Sequence, residues 1–271
     1  MPEDRKPVTA YDLVQMKQRG ERIVVLTCYD ALFARLLDAS GVDLLLVGDS
    51  VNQVLAGAET TLSATLDQMI YHTKIVRRGT QRAMVVCDMP FLTYQVSPAE
   101  AVRNCGRVMA ETDCHGVKLE GGRPIAATVR ALVDVGIPVM GHLGLTPQSV
   151  HALGGYRVQG RDEKTAERLK DDAKALEDAG AFAIVLELIP APLASQITKS
   201  LTVPTIGIGA GPACDGQVLV LHDMLGLNDQ FSAKFVKRYA ALAEEVREAV
   251  RLFAAEVREG RYPGPEHSFA K

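Results

Sequence analysis

The chain has 271 residues, 47% apolar and 23% charged, with a formal charge of −3 from 30 Lys and Arg against 33 Asp and Glu. That length can bury a sizeable core, and the absence of a basic stripe interleaved with aromatics argues against a nucleic-acid partner. No apolar run approaches a membrane span, and the opening MPEDRKPVTAYDL lacks the apolar core of a secretory signal.

No Pro, Ser or Gly-rich linker interrupts the middle, so one domain is expected over 1–271, frayed over its first seven residues. Buried apolar runs predict eight strands. The first, Ile23 to Cys28, is followed by TCYDALFA, which has no G-x-G-x-x-G phosphate loop of the kind an open doubly wound sheet carries there. The second, Leu44 to Val47, is apolar throughout, then turns at Gly48 and presents Asp49 and Ser50. A helix over Thr65 to Arg78 leads to strand three, Ala83 to Cys87, ending at Asp88. Ser97 and Pro98 supply a cap and a first-turn proline for a helix over Ala99 to Glu111. Strand four, Gly116 to Leu119, carries Lys118 and runs into Glu120.

After a helix over Ile125 to Val135, strand five, Pro138 to Gly141, reaches His142. A helix over Lys164 to Ala179 precedes strand six, Phe182 to Leu186, which reaches Glu187, and Pro190-Ala191-Pro192 starts a helix running to Lys199. Strands seven and eight are Val203 to Ile208 and Val218 to Leu221. Gly41, Gly79, Gly136 and Gly180 sit at helix stops, where a left-handed residue is cheap. A last helical stretch, 233–259, spaces Phe235, Tyr239, Leu242, Val246, Ala249 and Phe253 at near-heptad intervals, a stripe that needs either its own barrel or a second subunit to cover it.

Strand and helix alternating eight times, with near-continuous apolar strands, predict an α/β fold closed as a (β/α)₈ TIM barrel. In such a barrel the C-terminal strand ends form one mouth, where Asp49, Asp88, Glu120, His142 and Glu187 converge. Taken singly, each acid is an ordinary helix cap or Asx-turn. Taken together, acids on consecutive strands two, three and four repel one another unless a cation sits among them, and an all-oxygen set points to Mg²⁺ before Zn²⁺. Lys118 and Glu120, two residues apart, leave their strand on one face; a structural ion pair would explain them, and so would a cation that receives an anionic substrate group. Glu187, across the barrel, is free to act as a general base. His142 reads equally well as a satisfied core histidine. IGIGAG at 206–211 suggests phosphate, but no basic residue follows, and glycine there equally marks close backbone approach. Acids that hold a divalent ion beside a lysine suit the enolisation of a 2-oxo acid, followed by making or breaking a carbon–carbon bond. Five cysteines (Cys28, Cys87, Cys105, Cys114 and Cys214) without C-x-x-C pairing indicate reduced thiols and a cytoplasmic setting.

The segments VGDS (47–50), CDMPF (87–91), VKLEGG (117–122), GHLGLTPQSV (141–150), GGYRVQGR (154–161), IGIGAG (206–211) and YPGPEHSF (262–269) resemble the ketopantoate hydroxymethyltransferase family, over Tyr11 to Phe269. The resemblance implies a barrel of the phosphoenolpyruvate/pyruvate-binding type. It implies transfer of a one-carbon unit from 5,10-methylenetetrahydrofolate to 3-methyl-2-oxobutanoate, giving 2-dehydropantoate for pantothenate synthesis. It assigns Asp49 and Asp88 as Mg²⁺ ligands with Glu120 completing the metal site, Asp49, Ser50, Asp88 and Lys118 as the residues that hold the oxo acid, and Glu187 as the base that removes the C3 proton. His142 would border the substrate. It also implies a homo-oligomer, typically a decamer. Asn52 and Gln53 depart from the small-residue run that the family carries after VGDS, a difference at the pocket rim and not at the metal site. The alternative is a Mg²⁺-dependent carbon–carbon lyase or mutase of the isocitrate lyase or phosphoenolpyruvate mutase kind; the cysteine-bearing lid motif common there is not found. A silent barrel that only binds partners would have lost one of Asp49, Asp88, Lys118 or Glu187, and all four are present. No motif reads as pterin recognition on its own.

Overall fold

The computed structural model describes residues 6–269. The expected frayed end at 1–7 therefore falls, for residues 1–5, outside the described residues. Two compact units make up the chain, Met1–Val220 and Leu221–Lys271.

The first unit is a closed barrel of eight parallel strands in sequence order: β1 (Ile23–Thr27), β2 (Leu44–Val47), β3 (Met84–Asp88), β4 (Gly116–Glu120), β5 (Val139–Gly144), β6 (Ala183–Glu187), β7 (Thr205–Ile208) and β8 (Gly216–Leu219). The predicted (β/α)₈ architecture is the one found. Side chains alternate across each strand, so every second residue faces the barrel axis. The inward set is Ile23 and Val25, Leu44 and Leu46, Met84 and Val86, Met140, Ala183 and Val185, Ile206 and Val218, all in one buried cluster. Carrying that alternation one step further brings Asp88, Lys118, Glu120, His142 and Glu187 to the C-terminal layer. β3, β4 and β6 therefore end on Asp88, Glu120 and Glu187, and β5 runs past His142 to Gly144, so these strands reach one to three residues further than the apolar runs alone suggest.

The N-terminal end of the barrel is filled by a helix that the strand count gave no reason to expect, α1 (Ala10–Arg19). Thr9 caps it reciprocally with Asp12, and Gly20 ends it at φ 70°. Val8 and Leu13 join the barrel cluster from below, and the Val8 N–H donates to the Arg82 carbonyl at 2.8 Å. Lys17 Nζ fixes the other side, donating to the Thr198 and Val203 carbonyls and to Asp215 Oδ2 at 2.8, 3.0 and 3.0 Å.

The outer helices are α2 (Ala31–Ala39), the short α3 (Val51–Val54), α4 (Leu66–Gly79), α5 (Pro98–Thr112), α6 (Ala126–Asp134), α7 (Glu163–Asp178) and α8 (Ala191–Ser200). Ser97 caps α5 with Pro98 in its first turn, and Pro190 leads into α8, where the sequence signals placed them. Three of the four expected stop glycines are left-handed: Gly41, Gly136 and Gly180, at φ 87°, 87° and 97°. Gly79 is different. It is the last residue of α4, and a Cβ there would overlap the Ala31 carbonyl and lie 2.7 Å from Ala34 Cβ, so it is small because α4 crosses α2 closely.

Strand eight begins two residues earlier than its apolar run. Gly216 lies against β1, where a Cβ would come within 2.6 Å of the Ile23 carbonyl oxygen, and the polar Gln217 hides that start from a hydrophobicity reading.

In the second unit, α9 (Leu221–Met224) is followed by α10, which covers Leu242–Arg258 and not the whole of 233–259. The Tyr239 and Leu242 N–H groups donate to the Met224 and Leu225 carbonyls at 2.8 and 3.1 Å, so these donors are not free to form a helical ladder before residue 242. On α10, Val246, Val250, Phe253 and Val257 are exposed.

Among the described residues no helix is long and apolar enough to cross a membrane. All five cysteines are unpaired and buried. Burial pushes the Cys28 and Cys105 thiols up to about 12, and those of Cys87, Cys114 and Cys214 upward as well. Since the thiolate is the reactive form, a thiol reagent at pH 8 should label none of the five in the native protein within minutes, and all five in denaturant. Rapid native labelling of even one, located by peptide mass analysis, would contradict this burial.

Candidate active site

Strand register brings the charged groups together in pairs. Asp88 on β3 lies beside Lys118 on β4, and Glu120 lies beside His142 on β5. Neighbouring strands run about 4.8 Å apart, so such side chains meet directly. Lys118 Nζ stands 2.6 Å from Asp88 Oδ1 and 3.9 Å from Glu120 Oε1. His142 Nδ1 is 3.4 Å from Glu120 Oε1, and its Nε2 is 3.2 Å from Glu187 Oε2. Asp49 lies just past β2; its backbone N–H donates to Asp88 Oδ2 at 3.2 Å. Ser50 Oγ is 2.8 Å from the Tyr29 hydroxyl, and a Cβ on Gly48 would crowd that oxygen at 2.7 Å.

The five side chains expected at the mouth are therefore in one place, with Ser50 at its edge. Asp88, Lys118, Glu120 and His142 are almost sealed, with side chains 3–5% exposed, whereas Glu187 is 15% exposed. Burial raises the Asp49 carboxyl well above its ordinary value, and the charges of Asp88 and Glu120 push it the same way. Burial also raises Asp88, although Lys118 opposes the shift. For Glu120 the burial effect is outweighed, first by the hydrogen bond and charge of His142 and then by Lys118, and its carboxyl is held low. Burial disfavours the Lys118 ammonium, but Asp88, Glu120 and Asp49 together hold it charged. His142 is depressed by burial and by Lys118, yet Glu120 and Glu187 bring it up to about 9. Lys118 Nζ and His142 Nδ1 are 3.0 Å apart, too close for both to point a proton into the gap. With the imidazole charged, its Nδ1–H turns to Glu120; with it neutral, Lys118 donates to Nδ1.

Three mutually repelling carboxylates in a dry pocket suit a divalent cation, and the donors are the oxygens that a hard ion prefers. Asp88 Oδ1 is buried and, although close to Lys118, makes no properly directed hydrogen bond, leaving it a lone pair to offer. The residues present thus fit such an ion. Among the described residues no three acids or histidines already surround one point, and Lys118 Nζ stands in the space between Asp88 and Glu120.

Two further residues shape the site. Gln148, in the 3₁₀ turn Pro147–Ser149 after β5, donates from Nε2 to Asp49 Oδ2 and from its backbone N–H to Glu120 Oε2, each at 3.0 Å. Tyr94 accepts the Glu120 N–H at 3.0 Å and donates to Gln148 Oε1 at 2.8 Å. Gln148 stands in GHLGLTPQSV, but nothing in its spacing announces that its side chain reaches back to strand two. Tyr94 gives no sequence signal beyond an aromatic residue in a loop at the right end of the barrel.

At the rim, the polar Asn52 and Gln53 do definite work. Asn52 Nδ2 donates to Ser63 Oγ at 2.6 Å, and Gln53 Nε2 donates to the Tyr156 hydroxyl at 3.2 Å, tying the β2 loop to the β5 loop. Gly207 in IGIGAG is a close-approach glycine: a Cβ there would lie 3.0 Å from Cys214 Sγ.

The model of one protein family, ketopantoate hydroxymethyltransferase, matches residues 7–265. A 3-methyl-2-oxobutanoate hydroxymethyltransferase of Pelobacter propionicus is 56% identical over 99% of this chain and 100% of its own length. Its counterpart in Syntrophotalea carbinolica is 55% identical over 98% and 100%. Among solved structures, phosphonopyruvate hydrolase in complex with oxalate and Mg²⁺ superposes with a TM-score of 0.63 at 12% identity, covering 96% of this chain and 93% of that one. A 2,3-dimethylmalate lyase of the phosphoenolpyruvate mutase/isocitrate lyase superfamily gives 0.60 at 18%, over 96% and 93%. At those identities the structural matches speak for the barrel alone.

Proposed function

The chain belongs to the ketopantoate hydroxymethyltransferase family, and from that premise we propose that it transfers a hydroxymethyl group from 5,10-methylenetetrahydrofolate to 3-methyl-2-oxobutanoate, giving 2-dehydropantoate. The observation that carries the reading is the buried Asp49–Asp88–Lys118–Glu120 cluster, with the more open Glu187 reaching it through His142. Asp49, Asp88 and Glu120 would hold a Mg²⁺ ion, which when bound polarises the 2-oxo group and makes the C3–H bond more acidic. Asp49, Ser50, Asp88 and Lys118 would seat the oxo acid.

Glu187 takes the C3 proton on the more exposed side of the cluster, with His142 Nε2 3.2 Å from its carboxylate. Lys118 places its ammonium where negative charge develops on the substrate oxygens, in surroundings too dry to screen it. Water adds to the methylene carbon of the donor and both of that carbon's bonds to nitrogen break, while the enolate's C3 forms the new bond to it. Water's oxygen becomes the hydroxyl, the proton taken from C3 and one from water end on the two nitrogens, and tetrahydrofolate leaves. The reading includes a cytoplasmic setting, supported by five reduced thiols, and a homo-oligomer, a decamer as the resemblance implies, supported by the exposed apolar stripe on α10.

Proton NMR in D₂O tests the first half. With Mg²⁺ and enzyme but no folate, the C3–H signal of 3-methyl-2-oxobutanoate should disappear, and excess chelator should stop the loss. With 5,10-methylenetetrahydrofolate present, 2-dehydropantoate should accumulate. Failure to form product with both substrates and Mg²⁺ supplied would overturn the assignment.

A further inference from the structure

Gln148 makes more polar contacts at the site than its place in a loop suggests. It is 5% exposed, and its amide is fully used. Nε2 donates to Asp49 Oδ2 at 3.0 Å and to the Met89 carbonyl at 2.9 Å. Oε1 accepts from the Tyr94 hydroxyl at 2.8 Å and from Gln95 Nε2 at 3.1 Å. Its backbone N–H meets Glu120 Oε2 at 3.0 Å. The amide has one workable orientation: flipped, Oε1 would face the Met89 carbonyl and Asp49 Oδ2, setting acceptors against acceptors. One residue of the β5 loop thus touches the acid after β2, the backbone after β3 and the acid ending β4.

We propose that Gln148 is the positioning residue of the acid cluster: it fixes the distance and rotamers of Asp49 and Glu120 so that a divalent cation finds its carboxylates already aimed. This rests on the metal reading above. Without Gln148 the cation itself would have to draw Asp49 and Glu120 together against their repulsion, which would weaken its binding. Outer groups that orient carboxylate ligands are worth about 10–100-fold in metal affinity.

The test measures Mn²⁺ binding to the full-length protein by the decrease in the free-ion electron paramagnetic resonance signal. Three proteins are compared: wild type, Gln148→Leu, and Tyr94→Phe, which keeps the glutamine but removes the hydroxyl that donates to its Oε1. Melting curves identify the folded variants. The expected result is a Kd raised at least tenfold in Gln148→Leu and by a smaller factor in Tyr94→Phe, with kcat partly restored for both at saturating Mn²⁺. If Gln148→Leu does not fold, Tyr94→Phe carries the same comparison. An unchanged Kd in a folded variant, with wild type binding Mn²⁺, overturns the proposal. No Mn²⁺ binding by wild type instead overturns the metal reading on which it rests.

Discussion

Changing Glu187 to Gln should lower turnover by about 10²–10⁴-fold, the range lost when a positioned general base is removed. The substitution keeps the side chain's size and leaves an amide within reach of His142 Nε2, now 3.2 Å from Glu187 Oε2, so the loss should fall on chemistry and not on folding. Glu187 is the acid of the cluster best placed for this role: its side chain is 15% exposed, whereas Asp88 and Glu120 are closed off at 5% and 4%. The measurement is the folate-free C3–H exchange in D₂O for wild type and variant, with oxo-acid binding followed by calorimetry. Exchange that survives at more than a tenth of the wild-type rate, with substrate bound normally, would remove Glu187 from the role of base.

Gly144→Ala should be almost as damaging, for a structural reason. Gly144 ends β5 at φ 93°, opposite Glu187 in the register, and a Cβ there would overlap the Glu187 carbonyl and lie 2.8 Å from Ile189 Cγ2. A left-handed alanine costs about 1–2 kcal/mol and forced overpacking about 1–3 kcal/mol, so a loss of roughly 2–5 kcal/mol is expected by denaturant unfolding. Activity should fall further, by about 10²-fold in the folded fraction, because moving the base by an ångström has that effect. Gly136→Ala is the control. Gly136 has nearly the same φ, 87°, but nothing lies within 4 Å of an added Cβ, so it should show the backbone strain alone and full activity. Equal losses at the two sites would mean that contact with Glu187 is not the cause.

These cases show what could be read from the sequence and what could not. The strands were legible because most are apolar runs in a parallel sheet covered on both sides; β8, whose polar Gln217 breaks that pattern, was placed two residues late. The polar residues were conspicuous because each interrupts such a run at its end. Their pairing was not legible. Asp88 faces Lys118, and Glu120 faces His142, only because the strands close in one register, and register is a property of the whole barrel. The reach of Gln148 to Asp49, across 99 positions, is of the same kind. Gly79 misled because a helix-ending glycine looks the same whether it supplies a left-handed turn or room for a neighbour. Residues 233–241 misled because a helical apolar spacing says nothing of where the backbone donors are spent.

Packed side chains fill the barrel interior below the cluster down to Val8 and Leu13, so no passage runs to the strand-end acids from the N-terminal end. On the proposed reaction, two substrates of very different size share one doorway. The small oxo acid, seated against the strand ends, has to arrive before the bulky one-carbon donor and, once converted, leave after the spent donor has gone. Turnover then follows a compulsory order set by the architecture, in which the last molecule to enter is the first to depart.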